Sequence, residues 1–163
     1  MSYSKKIILG LDPGFADTGF GIIFKDKKGI QFIEAGSIQT SKFNKFPERL
    51  AKIYKEIKKL IVKYKPDIVG IEKLYFARNV KTALDVGHAR GVAILACQSQ
   101  KVDILEFTPT QVKQAVTNNG RANKRQVGLM VKILLKLKEI PKSDDAADAL
   151  AIAISTASQI KIK

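Results

Sequence analysis

Lys6-Ile7-Ile8-Leu9-Gly10-Leu11-Asp12-Pro13-Gly14 is an isoleucine- and leucine-rich run that ends on a carboxylate and turn residues. Its length and its Pro-Gly closure read as a buried strand followed by a turn. An ionised Asp at the end of such a strand is costly unless something offsets its charge. The same pattern returns at Ile68-Val69-Gly70-Ile71-Glu72, apolar and again closed by an acid. In open α/β sheets, ligands gather at the carboxyl ends of the parallel strands. If the two runs are parallel neighbours, Asp12 and Glu72 stand roughly 5 Å apart, close enough to share a divalent cation.

Working outward, Thr18 to Lys25 and Gly29 to Gln39 read as two further strands joined by the turn Asp26-Lys27-Lys28-Gly29, a hairpin. Leu50, Ile53, Ile57, Leu60 and Ile61 recur at helical spacing from Pro47 to Tyr64, and Pro66 ends that helix. The remainder predicts a strand over 67–72, a helix over 80–100, a strand over 102–107 and helices over 110–117, 124–137 and 144–158. Three strands in a meander followed by alternating helices and strands describe an α/β fold, a mixed sheet with helices on both faces. With 163 residues, one domain over 1–163 is expected, burying about two-thirds of its unfolded surface.

Charge narrows the function. The formal net charge is +14. Residues 42–65 hold nine Lys or Arg against two Glu, and residues 108–143 hold eight against one, so each block is +7 and together they account for the whole excess. Solvated helix faces usually interleave both signs, so one-signed blocks favour a phosphate-binding surface. A single cysteine, Cys97, allows no internal disulfide, and no stretch approaches the roughly 20 apolar residues of a bilayer span, so a cytoplasmic setting without a membrane is expected.

Asp144, Asp145 and Asp148 open the last predicted helix within Asp144-Asp145-Ala146-Ala147-Asp148-Ala149-Leu150-Ala151. Asp145 and Asp148, at i and i+3, share one face, and the alanines keep the helix slim enough to approach the sheet ends. Asp144 suits an N-cap, although its i, i+4 relation to Asp148 leaves it open as a ligand in place of Asp145. Gly14 can turn the chain and leave room beside Asp12 for a phosphate or metal, although Asp12 also fits an ordinary turn. Four carboxylates supply the all-oxygen donor set that suits magnesium or manganese. His88, in the middle of a helix, fits packing or surface better than general-base duty.

These residues, taken together, resemble the RuvC-type Holliday junction resolvases of the ribonuclease-H-like superfamily. The likeness is carried by Leu9-Gly10-Leu11-Asp12-Pro13-Gly14 with Thr18-Gly19, Ile71-Glu72 with Asn79, Ala89-Arg90-Gly91, Pro109-Thr110-Gln111-Val112-Lys113 and Asp145 through Ala151. The resemblance implies a five-stranded mixed sheet and selects Asp12, Glu72, Asp145 and Asp148 as catalytic metal ligands. It further implies Mg2+, with Mn2+ as a substitute, two ions per subunit, and a homodimer making paired nicks in four-way junction DNA with the branch-migration proteins RuvA and RuvB as partners. Tyr75 matches an aromatic that stacks on bases, Lys113 and Lys124 match positions near the scissile phosphate, and Arg78 and Arg121 are expected DNA contacts from charge and location. Phe76 fits the core or the DNA surface. Ala83, Gly87 and Gly91 form a small-residue stripe that suits packing within the subunit or, on the resemblance, a two-fold interface.

Three other readings fit parts of the pattern. One is a ribonuclease-H-like enzyme on another nucleic acid, such as precursor ribosomal RNA. A second is an actin-like phosphotransferase, which normally needs two domains. The third is a non-catalytic basic DNA-binding module, in which four acids would oppose the phosphates.

Overall fold

The computed structural model describes residues 5–74 and 80–162. Strands β1 (Lys6–Asp12), β2 (Asp17–Asp26), β3 (Gly29–Gln39), β4 (Ile68–Glu72) and β5 (Asp103–Phe107) form one sheet in the order β3-β2-β1-β4-β5. Helices α1 (Phe46–Tyr64), α2 (Val80–Ser99), α3 (Pro109–Thr117), α4 (Lys124–Leu134) and α5 (Asp144–Gln159) complete the chain. The expected hairpin is β2 with β3, antiparallel, and β1 is parallel to β4 with Leu11 opposite Ile71. One step further along that register, Asp12 and Glu72 fall side by side.

Alternation along the strands sorts the core into two layers. Leu9, Leu11, Ile22, Val69 and Ile71 face α1 and α2, packing on Ile53, Ile57, Ala89 and Ala93. Ile8 and Ile23 face α3, α4 and α5. Gly10, Asp12, Gly70 and Glu72 belong by alternation to this second face, and there the glycines decide how the last helix lies. A methyl group on Gly10 would stand 2.1 Å from the Ala149 carbonyl oxygen, and one on Gly70 would stand 2.0 Å from Thr156 Oγ1. On β2, the same construction puts Gly19 2.1 Å from the Asp145 carbonyl oxygen and Gly21 2.8 Å from Leu150. Gly10 is the register partner of both Gly21 and Gly70, so three adjacent strands present bare backbone to α5 in one row. The alanines of α5 complete the contact from the other side, since Ala146, Ala147, Ala149, Ala151 and Ala153 are all buried.

Most element ends fall within one residue of the sequence expectation, and the end of α4 differs by three. Helix α4 ends at Leu134 rather than Leu137, because Lys136 takes a left-handed φ of 53° and the Leu137 N–H reaches back to the Lys132 carbonyl at 2.9 Å. This closure folds Leu137 onto the core beyond the helix end, which prolongs the apolar periodicity past the helix itself. Strand β4 begins at Ile68; just before it, the Asp67 N–H donates to the Ile7 carbonyl at 2.8 Å while its carboxylate accepts the Ile7 N–H at 2.8 Å and Lys6 Nζ at 2.7 Å.

A side chain at Gly10 must displace helix backbone. Gly10→Ala is therefore expected to lower stability by about 2–3 kcal/mol in urea unfolding, the scale of overpacking in a closed interior; an unchanged midpoint would contradict the glycine-row contact.

Candidate active site

Asp12 and Glu72 leave the sheet on the α5 side, and α5 delivers Asp145 and Asp148 to the same end. Ser143, not Asp144, caps α5: its Oγ accepts the Ala146 N–H at 3.3 Å. Asp144 is thereby the first helical residue, its side chain 80 % exposed and its carboxylate 3.8 Å from Lys124 Nζ. Asp145 and Asp148 are half-buried, one helical turn apart. Asp145 lies where its own carbonyl touches Gly19, the register partner of Asp12.

The electrostatics join these groups into one site. Asp12 is pushed from 3.8 up to about 7, first by desolvation and then by the negative charges of Asp148, Glu72 and Asp145, against a smaller opposing pull from Lys124. Glu72 is also raised, by burial and by Asp148, while Lys113 and Lys124 draw it down. Asp145 is raised by burial and then by Asp17, a neighbour that sequence reasoning passed over because it reads as an ordinary strand-start acid. Lys124 Nζ stands 3.3 Å from Asp148 Oδ2 and is itself raised, chiefly by Asp148. Glu72, Lys113, Lys124 and Asp148, with Pro109, Val112 and Val127, line a cleft of about 300 Å³.

Among the described residues no three Asp, Glu, His or Cys side chains are already drawn into a metal cage. The backbone places the carboxylates at one end of the sheet, and their mutual repulsion at Asp12 is the charge imbalance that a cation would relieve. The donors are all carboxylate oxygens, the chemistry of a hard divalent ion. By both tests the residues fit such an ion.

The other expected site residues are distributed unevenly. Lys113 and Lys124 line the cleft, whereas Arg121 is exposed in the α3–α4 loop and is not among the lining residues. Tyr75, Phe76, Arg78 and Asn79 lie outside the described residues. His88 is exposed and packs edge-on against Phe46, with ring centroids 5.2 Å apart. Gly14 does not leave open space as expected: a Cβ there would meet the Asp17 carbonyl oxygen at 2.1 Å, so the loop's own backbone occupies the room. That loop is pinned from α1. The Arg49 guanidinium stacks 3.8 Å over Phe15 and donates to Thr40 Oγ1 at 2.9 Å, while the Thr40 hydroxyl donates to the Phe15 carbonyl at 2.6 Å.

Residues 8–156 match the family model described as crossover junction endodeoxyribonuclease RuvC. The chain belongs to the RuvC family. It is 51% identical over 148 residues to a RuvC of Ruminiclostridium cellulolyticum, covering 91% of this chain and 89% of that one. It is 52% identical over 148 residues to a RuvC of Alkaliphilus oremlandii, covering 91% and 90%. The fold superposes with a TM-score of 0.88 on Thermus thermophilus RuvC in complex with Holliday junction substrate, at 33% identity and covering 93% of each chain. This RuvC chain thus carries the family's sheet and helix order, and the carboxylate end is the part of that frame with perturbed acids.

The pKa of Asp12 has a thermodynamic consequence in the metal-free protein. Between 3.8 and about 7 the folded chain keeps a proton on Asp12 that the unfolded chain has released, so stability falls as pH rises through that window. In EDTA, wild-type Tm is expected to drop between about pH 5 and about pH 8, while Asp12→Asn shows a weaker pH dependence and the higher Tm at the upper end. Parallel Tm curves for the two proteins would refute the repulsion.

Proposed function

We propose that this chain is an endodeoxyribonuclease that resolves four-way (Holliday) junctions in recombination and repair, with Asp12, Glu72, Asp145 and Asp148 as its catalytic carboxylates. Membership of the RuvC family supports the activity, and the Thermus thermophilus relative seen with Holliday junction substrate supports the substrate class. The observation that carries the residue assignment is the coupling of Asp12 to Glu72, Asp145 and Asp148 at one end of the sheet.

The family uses divalent metal. Here the four carboxylates would hold Mg2+, with Mn2+ as a substitute and two ions per subunit as the reading that four acids favour. Such ions, when bound, lower the pKa of an attacking water and offset charge on the departing 3′-oxygen. The protein's own part is placement and charge. Glu72 and Asp148 form the acidic wall of the cleft, and Lys113 and Lys124 its cationic wall, where a phosphate is drawn in beside them. Lys124 answers Asp148 in the free protein; with Asp148 among the residues that would hold a cation, the Lys124 ammonium would be left available to a phosphate in the cleft. The two basic blocks, each net +7, supply the attraction to DNA, against which the four acids of the site are a local opposing charge.

Symmetric cutting needs a symmetric protein, and a homodimer along α2 fits the surface. Leu84 and Leu95 are exposed there and Gly91 faces open space, whereas Ala83 is buried within the subunit and contributes nothing to an outer stripe. A single nuclease domain over 1–163 agrees with one sheet and its two helical layers. Among the described residues no helix is long and apolar enough to cross a membrane. A cytoplasmic setting, base stacking by Tyr75 and partnership with RuvA and RuvB are carried by the family likeness alone.

Labelled four-way junction, duplex and RNA hairpin incubated with and without Mg2+ test substrate class and metal need together. Cleavage is expected of the junction alone and only with metal. Asp12→Asn, Glu72→Gln, Asp145→Asn and Asp148→Asn should each abolish it while junction binding persists or tightens, and Asp144→Asn should still cleave. Loss of cleavage in Asp144→Asn with retention in Asp145→Asn would reverse the assignment. Junction affinity is also expected to fall steeply with salt, as for a surface that displaces several counterions, and a nearly flat log–log plot would count against the phosphate surface.

A further inference from the structure

Arg90 of α2 reaches the carboxyl ends of β4 and β5 from the sheet face opposite α5. Its Nε–H donates to the Glu72 carbonyl oxygen at 2.9 Å, and one Nη donates to the Glu106 carboxylate. The guanidinium side chain is only 20% exposed, so these bonds are made in partial shelter from water. The next atom group along the chain is held as well, since the Lys73 N–H donates to the Phe107 carbonyl at 2.7 Å. The Glu72 carbonyl and the Lys73 N–H belong to one peptide group. Both of its polar ends are therefore anchored, one by α2 and the other by β5.

Anchoring both ends fixes the plane of that peptide, and with it ψ of Glu72, at the point where β4 leaves the sheet. The Glu72 Cα–Cβ bond, which starts the carboxylate into the cleft on the other face, takes its direction from that backbone. We infer that Arg90 is a positioning residue that aims the Glu72 carboxylate by holding the Glu72–Lys73 peptide, with Glu106 orienting the guanidinium. An arginine suits this task because its planar fork serves a carbonyl and a carboxylate at once from separate nitrogens in fixed geometry, whereas a lysine's three donors sit on one freely rotating nitrogen. The charge of Arg90 is not what tunes Glu72. The cations that draw Glu72 down are Lys113 and Lys124, on the cleft side. Arg90 acts through the backbone.

This inference rests on the proposed metal role of Glu72, and its test separates the two. Mn2+ is titrated into purified wild type, Arg90→Met, Arg90→Lys, Glu106→Gln and Glu72→Gln, with free Mn2+ read by electron paramagnetic resonance. Single-turnover cleavage of a four-way junction is then followed against Mg2+ concentration, and metal-free junction binding is measured alongside. Glu72→Gln is expected to weaken Mn2+ binding and abolish cleavage. Arg90→Met should weaken Mn2+ binding about ten-fold and raise half-saturating Mg2+ by a similar factor, the scale on which outer-shell partners act. Arg90→Lys and Glu106→Gln should fall between wild type and Arg90→Met, and all three should bind metal-free junction as wild type does. If Arg90→Met does not fold, the lysine and Glu106→Gln variants make the same comparison. Mn2+ isotherms that superimpose on wild type for folded Arg90 and Glu106 variants, with Glu72→Gln weakened, would overturn the positioning role and leave Glu72 in place. A wild-type isotherm for Glu72→Gln would overturn the role of Glu72 and the inference with it.

Discussion

Helix α5 lies on the backbone of the sheet, with almost no side chain between, because β2, β1 and β4 offer Gly19, Gly21, Gly10 and Gly70 where it crosses. The rest of the site follows from this closeness. Aspartate is a short side chain, and a helix held away by leucines or isoleucines would leave Asp145 and Asp148 far from Asp12 and Glu72. With the Asp145 carbonyl resting on Gly19, two aspartates one turn apart project beside the strand ends. The small residues of α5 and the glycines of the strands are thus one device written in two parts of the chain. Its cost is conformational, since glycine in a strand interior gives up entropy and packing. The large apolar residues on the opposite face, Leu9, Leu11, Val69 and Ile71, retain full burial and supply the packing that the glycine row lacks.

Bringing four acids together in a protein of net charge +14 separates two electrostatic jobs. Basic residues spread over α1, α3 and α4 make a positive potential that reaches about a Debye length into solvent, the range over which the proposed DNA substrate would be drawn in. The acids act at contact range, where burial and mutual repulsion lift Asp12 to about 7. A group poised there is only partly ionised in the metal-free protein near neutrality, and a cation held beside it would favour the ionised form. Metal binding is then linked to proton release, and its affinity rises with pH through the same window. Lys124 belongs to both systems, as a basic residue of the 108–143 block and as the ammonium standing on Asp148.

Strand and helix order was legible in the sequence because the apolar runs are pure and the breaks are marked by Pro, Gly and Asn. The two runs ending in acids raised parallel neighbours β1 and β4 as the condition for a shared site, and the structure meets it, Leu11 opposite Ile71. The layers of glycine were harder to read. Gly14, beside Asp12, drew attention as the residue making room, yet its space is filled by the loop's own carbonyl, while Gly19, Gly10 and Gly70 make the decisive contact. A glycine says only that a side chain is missing, and which neighbour uses the gap depends on register between distant segments. The same reason hid Asp17 and, although Ala89-Arg90-Gly91 carries part of the family likeness, the contact that Arg90 makes with Glu72. Each acts on a site residue through a partner more than 15 positions away in the chain, and neither residue type is unusual where it stands. The end of α4 was misjudged for a local reason, since Leu137 keeps the helical apolar spacing after the backbone has turned away.

Asp12, Glu72, Asp145 and Asp148 are proposed to form one site for divalent cations. Anomalous diffraction from crystals soaked in Mn2+ addresses it without recourse to activity. Anomalous peaks are predicted at the carboxyl ends of β1 and β4, with oxygens of Asp12 and Asp148 bound directly and Lys124 Nζ drawn away from Asp148. Peaks confined to other acids, such as Asp26 or Glu139, with the Lys124–Asp148 contact intact at saturating Mn2+, would contradict it.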